Sequence, residues 1–340
     1  MAHMQHRDVG VLRGHKRPVN CLAKCLSGAP DLLASGSQDS TVRIWDLRTN
    51  KVAQCITQAF AGDAVSSVAF PSATDLYVAS HNQLYTFDLR NAGMIVKEAT
   101  TILEPAADEI NTLAVHPSHA KKPWLAVPDD EGEIGIVNLQ TKALQTTLRG
   151  QHTNLCMSAA FRPKCAGYDL VTGGHDCQLV FWEVSGDRGS GRMRAKLSMQ
   201  DIIGDDALAD GTQMWNPPFV YDLAFNAAGR SLAAALGDGS VVLLDFASRS
   251  LQRRLTAHRA VATCVEFAAW QGKEYLISAA NDATVAIWDY KAAIQSADEA
   301  AVMVPLANRP NAIATYINED GCTLYVGDDR TATITMIQLH

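Results

Sequence analysis

The chain has little of what marks several large classes of protein. Charged residues make up 19% of its 340 residues, the net charge is −7, and no stretch interleaves Lys and Arg with aromatic residues. Direct nucleic-acid binding needs a basic surface, so this composition argues against it. No apolar run approaches the roughly 20 residues that span a bilayer. We therefore expect neither nucleic acid nor membrane among its partners.

The eight cysteines are scattered, and none forms a Cys-x-x-Cys pair. No cluster of Cys and His has the spacing of zinc ligands either, so a zinc site is not expected. The chain shows no signal peptide, and it has no glycine-rich loop that would hold a phosphate. We expect reduced thiols in a cytoplasmic or nuclear protein, with no metal and no cofactor. Residues 1–7 are expected to form a tail whose opening, Met1 to Met4, resembles a cloning remnant before a native start at Met4.

An internal repeat of four residues is the most informative feature that is present. A histidine is followed after 20, 24 and 30 positions by Ser or Thr, then Asp, then Trp, three times over. The three tetrads are His15, Ser35, Asp39 and Trp45; His152, Thr172, Asp176 and Trp182; and His258, Ser278, Asp282 and Trp288. Fixed offsets within units of about 40–50 residues are typical of β-propeller blades.

Weaker units appear through their strand patterns. Alternating apolar residues on both sides of a tight turn predict β-hairpins inside the tetrad units. Similar closing pairs recur along the chain, and a seventh β-rich run spans Thr331 to Leu339. The closing pairs are Trp45-Asp46, Phe87-Asp88, Val137-Asn138, Trp182-Glu183, Leu244-Asp245 and Trp288-Asp289. Seven units average about 49 residues each, within the range of blades.

The two chain ends predict closure of a ring. The last unit stops after its third strand, while Val9 to Leu12 supply a spare strand before the first repeat. Pairing these two segments would leave no open sheet edge at the seam. We predict an all-β, seven-bladed propeller over residues 8–340, closed by the N-terminal strand joining the last blade, and monomeric by itself.

The tetrads resemble those of the WD-repeat (WD40) family, over essentially the whole chain. Segments within residues 62–185, such as Gly62 to Val68 and His152 to Pro163, resemble the family of WD repeat-containing protein 53. The resemblance implies that the turn Asp accepts a hydrogen bond from the His. The His then meets the Ser or Thr hydroxyl, and that hydroxyl meets the Trp indole N–H. Such a buried network stabilises only when every member is satisfied, which makes the tetrads structural and not catalytic.

The same resemblance extends to substrate receptors of the cullin-4-type RING ubiquitin ligase, which carry a Trp-Asp-x-Arg box. Trp45, Asp46 and Arg48 form such a box, and Asp88 and Arg90 repeat it in the next blade with Phe in place of Trp. The resemblance implies that these residues bind the ligase adaptor, because an arginine can fork onto carbonyls or carboxylates. Alternatively, each arginine pairs with a neighbouring blade and has no ligase partner.

An insertion of about residues 185–218 separates the fourth and fifth blades. Long loops are either functional or disordered. Asp205, Asp206 and Trp215 suggest an acidic lid, anchored by an aromatic residue, that binds a basic partner on the face of the repeat histidines. The alternative is a partly ordered loop that tucks Trp215 against the side of a blade.

Together these features predict a non-enzymatic scaffold whose partners are proteins or peptides, with a ubiquitin-ligase adaptor among them. A scaffold subunit of another cytoplasmic or ciliary assembly is the alternative. A propeller enzyme would need acids, histidines or metal ligands gathered at the central channel, and no motif indicates such a cluster.

Overall fold

A computed structural model describes residues 4–90, 93–165, 167, 169–184, 190–204, 216–295, 302–319 and 321–340. Over these residues the strands form seven separate sheets of four or five strands, one for each blade. The predicted seven-bladed propeller is therefore confirmed. In the described ranges no helix is long and apolar enough to cross a membrane.

The strands are numbered in chain order, and within each blade they run from the innermost strand to the outermost. Blade 1 contains β2 (Val19–Lys24), β3 (Leu32–Ser37), β4 (Val42–Asp46) and β5 (Lys51–Ile56), with the short β9 (Ile95–Val96) outside β5. Blade 2 contains β6 (Ser67–Ser72), β7 (Asp75–Ser80), β8 (Gln83–Asp88) and β10 (Thr101–Leu103). Blade 3 contains β11 (Ala114–Val115), β12 (Trp124–Pro128), β13 (Ile134–Asn138) and β14 (Ala143–Leu148).

The remaining blades follow the same plan. Blade 4 contains β15 (Cys156–Phe161), β16 (Asp169–Gly174), β17 (Gln178–Val184) and β18 (Gly191–Ser198), followed by helix α1 (Met199–Ile203). Blade 5 contains β19 (Val220–Phe225), β20 (Ser231–Leu236), β21 (Val241–Asp245) and β22 (Ser250–Leu255). Blade 6 contains β23 (Ala262–Trp270), β24 (Lys273–Ala280), β25 (Thr284–Asp289) and β26 (Val302–Pro305), with helix α2 (Tyr290–Gln295) after β25. Blade 7 contains β27 (Pro310–Asn318), β28 (Gly321–Asp328), β29 (Thr333–Leu339) and β1 (His6–Arg13).

The ring closes as the chain ends predict. Strand β1 pairs antiparallel with β29, from His6 opposite Leu339 to Arg13 opposite Thr333. It begins at His6, three residues earlier than the spare strand expected from Val9, so the pairing reaches into the segment predicted to be a tail. A core cluster at this seam includes Leu12 of blade 7 and Trp45 of blade 1.

Glycines let neighbouring blades approach closely. A Cβ atom on Gly36 of blade 1 would lie 2.3 Å from Cγ1 of Val65, which enters blade 2. A Cβ atom on Gly173 of blade 4 would lie equally close, at 2.3 Å, to Cγ1 of Val220 in blade 5. Both positions therefore need glycine because the next blade occupies the space that a side chain would take.

Two faces of the ring follow from this order. The top face carries the loops that join one blade to the next and the turns between the second and third strands. The bottom face carries the other two kinds of connection, first to second strand and third to fourth strand. The tetrad histidines and aspartates thus lie at the top, and the Asp-x-Arg boxes lie at the bottom.

Candidate functional site

The first tetrad is a chain of hydrogen bonds between the top loops and the third strand of blade 1. His15 Nδ1 lies 3.2 Å from Asp39, and Ser35 donates to His15 Nε2 over 2.7 Å. The Trp45 indole N–H donates to Ser35 Oγ over 2.8 Å. Burial opposes the charge on Asp39, but hydrogen bonds from His15 and Thr41 outweigh it, so the pKa of Asp39 is lowered.

The second tetrad repeats this geometry in blade 4, with one difference. His152 Nδ1 lies 3.1 Å from Asp176, Thr172 donates to His152 Nε2 over 2.8 Å, and Trp182 donates to Thr172 over 2.9 Å. Position 178 is Gln here, whereas the first and third tetrads have a threonine at this offset. Among the described residues, the Nδ1–H of His152 therefore has Asp176 as its acceptor and no hydroxyl beside it.

The third tetrad departs from the expectation that Asp accepts directly from His. His258 Nδ1 lies 3.6 Å from Asp282 but 3.0 Å from the Thr284 hydroxyl, which in turn donates to Asp282 over 2.6 Å. Ser278 donates to His258 Nε2 over 2.7 Å and accepts from Trp288 over 3.3 Å. The hydroxyl of Thr284 thus relays the contact between His258 and Asp282.

Arg48 lies on the bottom face and folds back onto the acid of its own box. Its Nε and Nη2 atoms donate to Asp46 over 3.0 and 2.8 Å, and its main-chain N–H donates to the same carboxylate over 3.0 Å. These hydrogen bonds from Arg48 lower the pKa of Asp46. Trp45 of the box is buried in the tetrad, whereas the Arg48 side chain is 65% exposed. The surface part of the box is therefore the Asp46–Arg48 pair.

Arg90 reproduces this arrangement on the adjacent blade. Its Nε atom donates to Asp88 over 2.9 Å and its main-chain N–H over 3.0 Å, while its side chain is 73% exposed. Hydrogen bonds from Arg90 lower the pKa of Asp88 to about 2. Phe87 replaces the Trp of the first box and packs edge-on against Phe60, with ring centroids 5.9 Å apart. Two exposed guanidinium groups in one bidentate geometry thus stand on neighbouring blades.

Blade 3 shows that the turn itself does not require an arginine. Asn138 occupies the acid position and Gln140 the arginine position, and Asn138 Oδ1 accepts from the Gln140 N–H over 2.8 Å. The main-chain hydrogen bond of the turn therefore forms without either charge. In the described residues, no ion pair joins Arg48 or Arg90 to a neighbouring blade. Arg48 also lies 3.7 Å from Asp31 of its own blade, whose carboxylate accepts from the Tyr316 hydroxyl of blade 7 over 2.7 Å, so the link between Arg48 and a neighbouring blade is indirect.

The residues predicted to form a top-face lid cannot be placed in this geometry. Asp205, Asp206 and Trp215 lie outside the described residues. The described flanks end in α1, whose Met199 is fully buried, and resume before β19 with Phe219 stacked on His175 at 4.8 Å.

The innermost strands of the blades surround a central channel of about 690 Å³. In its wall, Lys24 Nζ donates to Glu266 over 2.5 Å, and the Thr315 hydroxyl donates to the same carboxylate over 2.8 Å. Burial raises the pKa of the Cys21 and Cys264 thiols, which also line the channel, to about 12. The two charges thus neutralise each other and the thiols stay protonated. In the part of the chain that the structure describes, no three His, Cys, Asp or Glu side chains cluster as metal ligands.

Comparisons with known proteins extend these observations. The family model described as "WD domain, G-beta repeat" matches residues 7–46 and 249–289. A WD repeat-containing protein 53 homolog from Dictyostelium discoideum is 30% identical over 296 residues, which cover 82% of this chain and 77% of that protein. A DDB1- and CUL4-associated factor 7 homolog from the same organism is 27% identical over 160 residues, 46% of each chain. Striatin-4 from Mus musculus is 29% identical over 180 residues, which cover 51% of this chain and 22% of the relative.

Proposed function

The chain belongs to the WD-repeat family that includes the WD repeat-containing protein 53 homolog, and from this premise we propose that it docks the adaptor of a cullin-4-type ubiquitin ligase. The family's propeller fold supports a role in protein interaction. The finer proposal is that the bottom face holds the adaptor through Asp46, Arg48, Asp88 and Arg90, with Trp45 of the first box buried in the tetrad beneath them. A client protein would bind the top face, near Asp205, Asp206 and Trp215.

One observation carries the proposal. Blade 3 builds the same main-chain turn with Asn138 and Gln140, so the charged pairs of blades 1 and 2 are not needed to form it. A bidentate arginine that the turn does not require, 65% exposed in blade 1 and repeated at 73% exposed on the adjacent blade, is suited to recognition.

The geometry also suits a docked partner. Asp46 and Asp88 engage the Nε and Nη2 sides of their arginines, which fixes the direction of each guanidinium before any partner arrives. A guanidinium has five N–H donors, so further donors remain for a carbonyl or carboxylate of the adaptor. Preorganised side chains lose less conformational entropy on binding.

Similarity gives weaker support in the same direction. The name of one relative, DDB1- and CUL4-associated factor 7 homolog, links that protein to a cullin-4 ligase, although the matched part is 46% of each chain. In the proposed role, the ligase supplies the chemistry and this chain supplies proximity between client and catalyst. We place this activity in the cytoplasm or the nucleus.

The test is a direct titration of the purified cullin-4 adaptor against the wild-type chain and the Arg48→Gln/Arg90→Gln variant. Glutamine copies the blade 3 turn, so the variant should fold normally and keep the wild-type melting temperature. We expect saturable binding by the wild type and a loss of affinity of about 100-fold or more in the variant, because two charge-assisted forks are removed together.

The matched control is Lys291→Gln. Lys291 holds the arginine position of the Trp-Asp-x-Lys segment in blade 6 and is exposed at the start of helix α2, so the control removes one positive charge from the bottom face at a corresponding place in the sequence. It should bind like the wild type. If the wild type does not bind the adaptor, the two arginines are rim residues that simply satisfy their own aspartates. A scaffold role in another cytoplasmic or ciliary assembly then becomes the better conclusion.

A further inference from the structure

Five basic side chains gather on the top loops of three consecutive blades. Each lies on a loop leading into blade 6, 7 or 1, or on the turn before the third strand of blade 7, and all are exposed. We call them the basic arc; they are Lys16, Arg17, Arg259, Arg309 and Arg330. The net charge of the chain is −7, so this concentration runs against the average composition.

The aspartates nearest to the basic arc accept hydrogen bonds from its main-chain N–H groups. None of its five members forms an ion pair with a described residue. Other arginines toward the top face behave differently, since Arg149 lies 3.2 Å from Glu133 and Arg254 lies 2.9 Å from Asp238. Asp329, beside Arg330, is half-buried with its Oδ1 shielded from solvent.

Aspartates at the turns between the second and third strands of blades 1, 6 and 7 hold the main chain at three members of the basic arc. The Lys16 N–H donates to Asp39 over 2.7 Å, and the Arg259 N–H donates to Asp282 over the same distance of 2.7 Å. The Arg330 N–H donates to Asp328 over 2.8 Å. The main chain is thus fixed while the cationic side chains extend into solvent, which lowers the entropy cost of binding an anion.

The adjoining part of the top face, over blades 2 and 3, carries the opposite charge. Exposed acids lie on the loops leading into blades 2 and 3 and on the second-to-third-strand turn of blade 3; they are Asp63, Asp108, Glu109 and Glu131. The top face is therefore divided into a positive side over blades 6, 7 and 1 and a negative side over blades 2 and 3.

We propose that the basic arc binds an acidic segment of a client protein, one with several Asp or Glu residues close together in sequence. Carboxylates match the bidentate geometry of arginine, and four of the five members of the arc are arginines. Unpaired surface charges of one sign also steer an oppositely charged partner to the correct side of a face.

The charge division favours a short peptide over a nucleic acid. A polyanion longer than the arc would extend over Asp63, Asp108 and Glu109 and be repelled there, whereas an acidic peptide segment can end where the arc ends. The segment that follows can carry positive charge and meet the acidic side. This inference rests on the proposed role as a client receptor and names the chemistry of the client.

The test uses fluorescence anisotropy of a fluorescein-labelled peptide of alternating Glu and Gly, beside the same peptide with Gln in place of Glu. No ligase adaptor is present, so the result is independent of the outcome at Arg48 and Arg90. We expect the Glu peptide to bind the full-length chain, the Gln peptide not to bind, and the affinity to fall as ionic strength rises.

The decisive variant is Arg17→Glu/Arg309→Glu/Arg330→Glu, which should weaken the binding of the Glu peptide by about tenfold or more. A second variant, Lys51→Glu/Lys121→Glu/Lys291→Glu, makes the same change in net charge at exposed positions toward the bottom face and should bind like the wild type. Equal loss in both variants would show a nonspecific charge effect and overturn the proposal. Binding of a fluorescein-labelled oligo-dT that is lost in the arc variant, without binding of the Glu peptide, would also overturn it in favour of nucleic acid.

Discussion

Replacing Asp176 with alanine is expected to lower the free energy of unfolding by about 2–4 kcal/mol, more than the same change at Asp39 or Asp282. His152 lies against Asp176 with a fully buried side chain, and among the described residues no hydroxyl lies beside its Nδ1–H. The substitution therefore leaves a buried donor without an acceptor, which costs more than a hydrogen bond exchanged with water.

In the other two tetrads, a threonine hydroxyl lies beside the histidine Nδ1 and can accept its hydrogen bond when the aspartate is removed. In blade 1, His15 Nδ1 already lies 3.1 Å from the Thr41 hydroxyl, and in blade 6 His258 Nδ1 bonds to Thr284 in preference to Asp282. Asp39→Ala and Asp282→Ala should each destabilise less than Asp176→Ala, with Asp282→Ala the mildest. This order of destabilisation tests whether a threonine hydroxyl relays the contact between His and Asp, since the mere presence of a tetrad predicts no such order.

Thermal unfolding of the three variants measures this order. For a chain of 340 residues, a loss of 2–4 kcal/mol corresponds to a fall in melting temperature of about 3–6 °C. Asp108→Ala removes an exposed carboxylate from the same face and serves as the control, with little change expected. An equal fall in melting temperature for all three Asp→Ala variants, or the largest fall for Asp282→Ala, would contradict the relay through threonine.

The wild-type chain is expected to lose about 2–4 kcal/mol of stability through Asp222 as pH rises from about 4 to about 7. Burial, with a smaller contribution from repulsion by Glu266, raises the pKa of Asp222 from 3.8 to about 7, although the N–H groups of Val265 and Leu223 donate to its carboxylate and oppose the rise. Between these two pH values the native carboxyl keeps its proton while the unfolded one releases it. Unfolding therefore becomes easier with rising pH, and the effect levels off above the folded pKa.

Asp222→Ser is expected to remove this slope. Ser67 holds the corresponding place in blade 2, where its hydroxyl accepts from the Leu113 N–H of blade 3 over 3.0 Å, so serine can keep the contact between blades. Melting curves of the wild type and the variant are measured across this pH range. The difference between their melting temperatures at each pH isolates the effect of Asp222, because the other titrating groups contribute equally to both. The control Asp108→Ser should keep the wild-type slope. If the difference in melting temperature between wild type and Asp222→Ser does not change with pH, Asp222 is ionised in the native state over the whole range, and the prediction is wrong.

The fold was predictable because the blade is a repeated unit with fixed offsets. Three tetrads and six closing pairs define the third strand of six blades, and the spare N-terminal strand defines the closure. The pairing of Arg48 and Arg90 with their own acids was not predicted, because sequence spacing does not say whether a side chain turns outward or back.

The remaining features depend on contacts that no single segment carries. The relay in blade 6 depends on two distances that differ by 0.6 Å. His258 Nδ1 lies 3.6 Å from Asp282 but 3.0 Å from the Thr284 hydroxyl. The basic arc draws on four separate stretches of chain that become neighbours only once the ring closes. Aligning the seven repeats and comparing charge on the top-face loops and turns would have revealed it, since all four stretches are connections of these two kinds.

Hydrogen exchange of the chain with and without the purified cullin-4 adaptor locates the docking surface without any substitution, and it is therefore the decisive test of adaptor docking. We predict slower exchange in residues 46–50 and 88–90 of the bottom face, and unchanged exchange in the top-face loops 13–18 and 256–261. Protection confined to the top face, or no protection anywhere at adaptor concentrations that saturate other receptors, would contradict docking through Arg48 and Arg90.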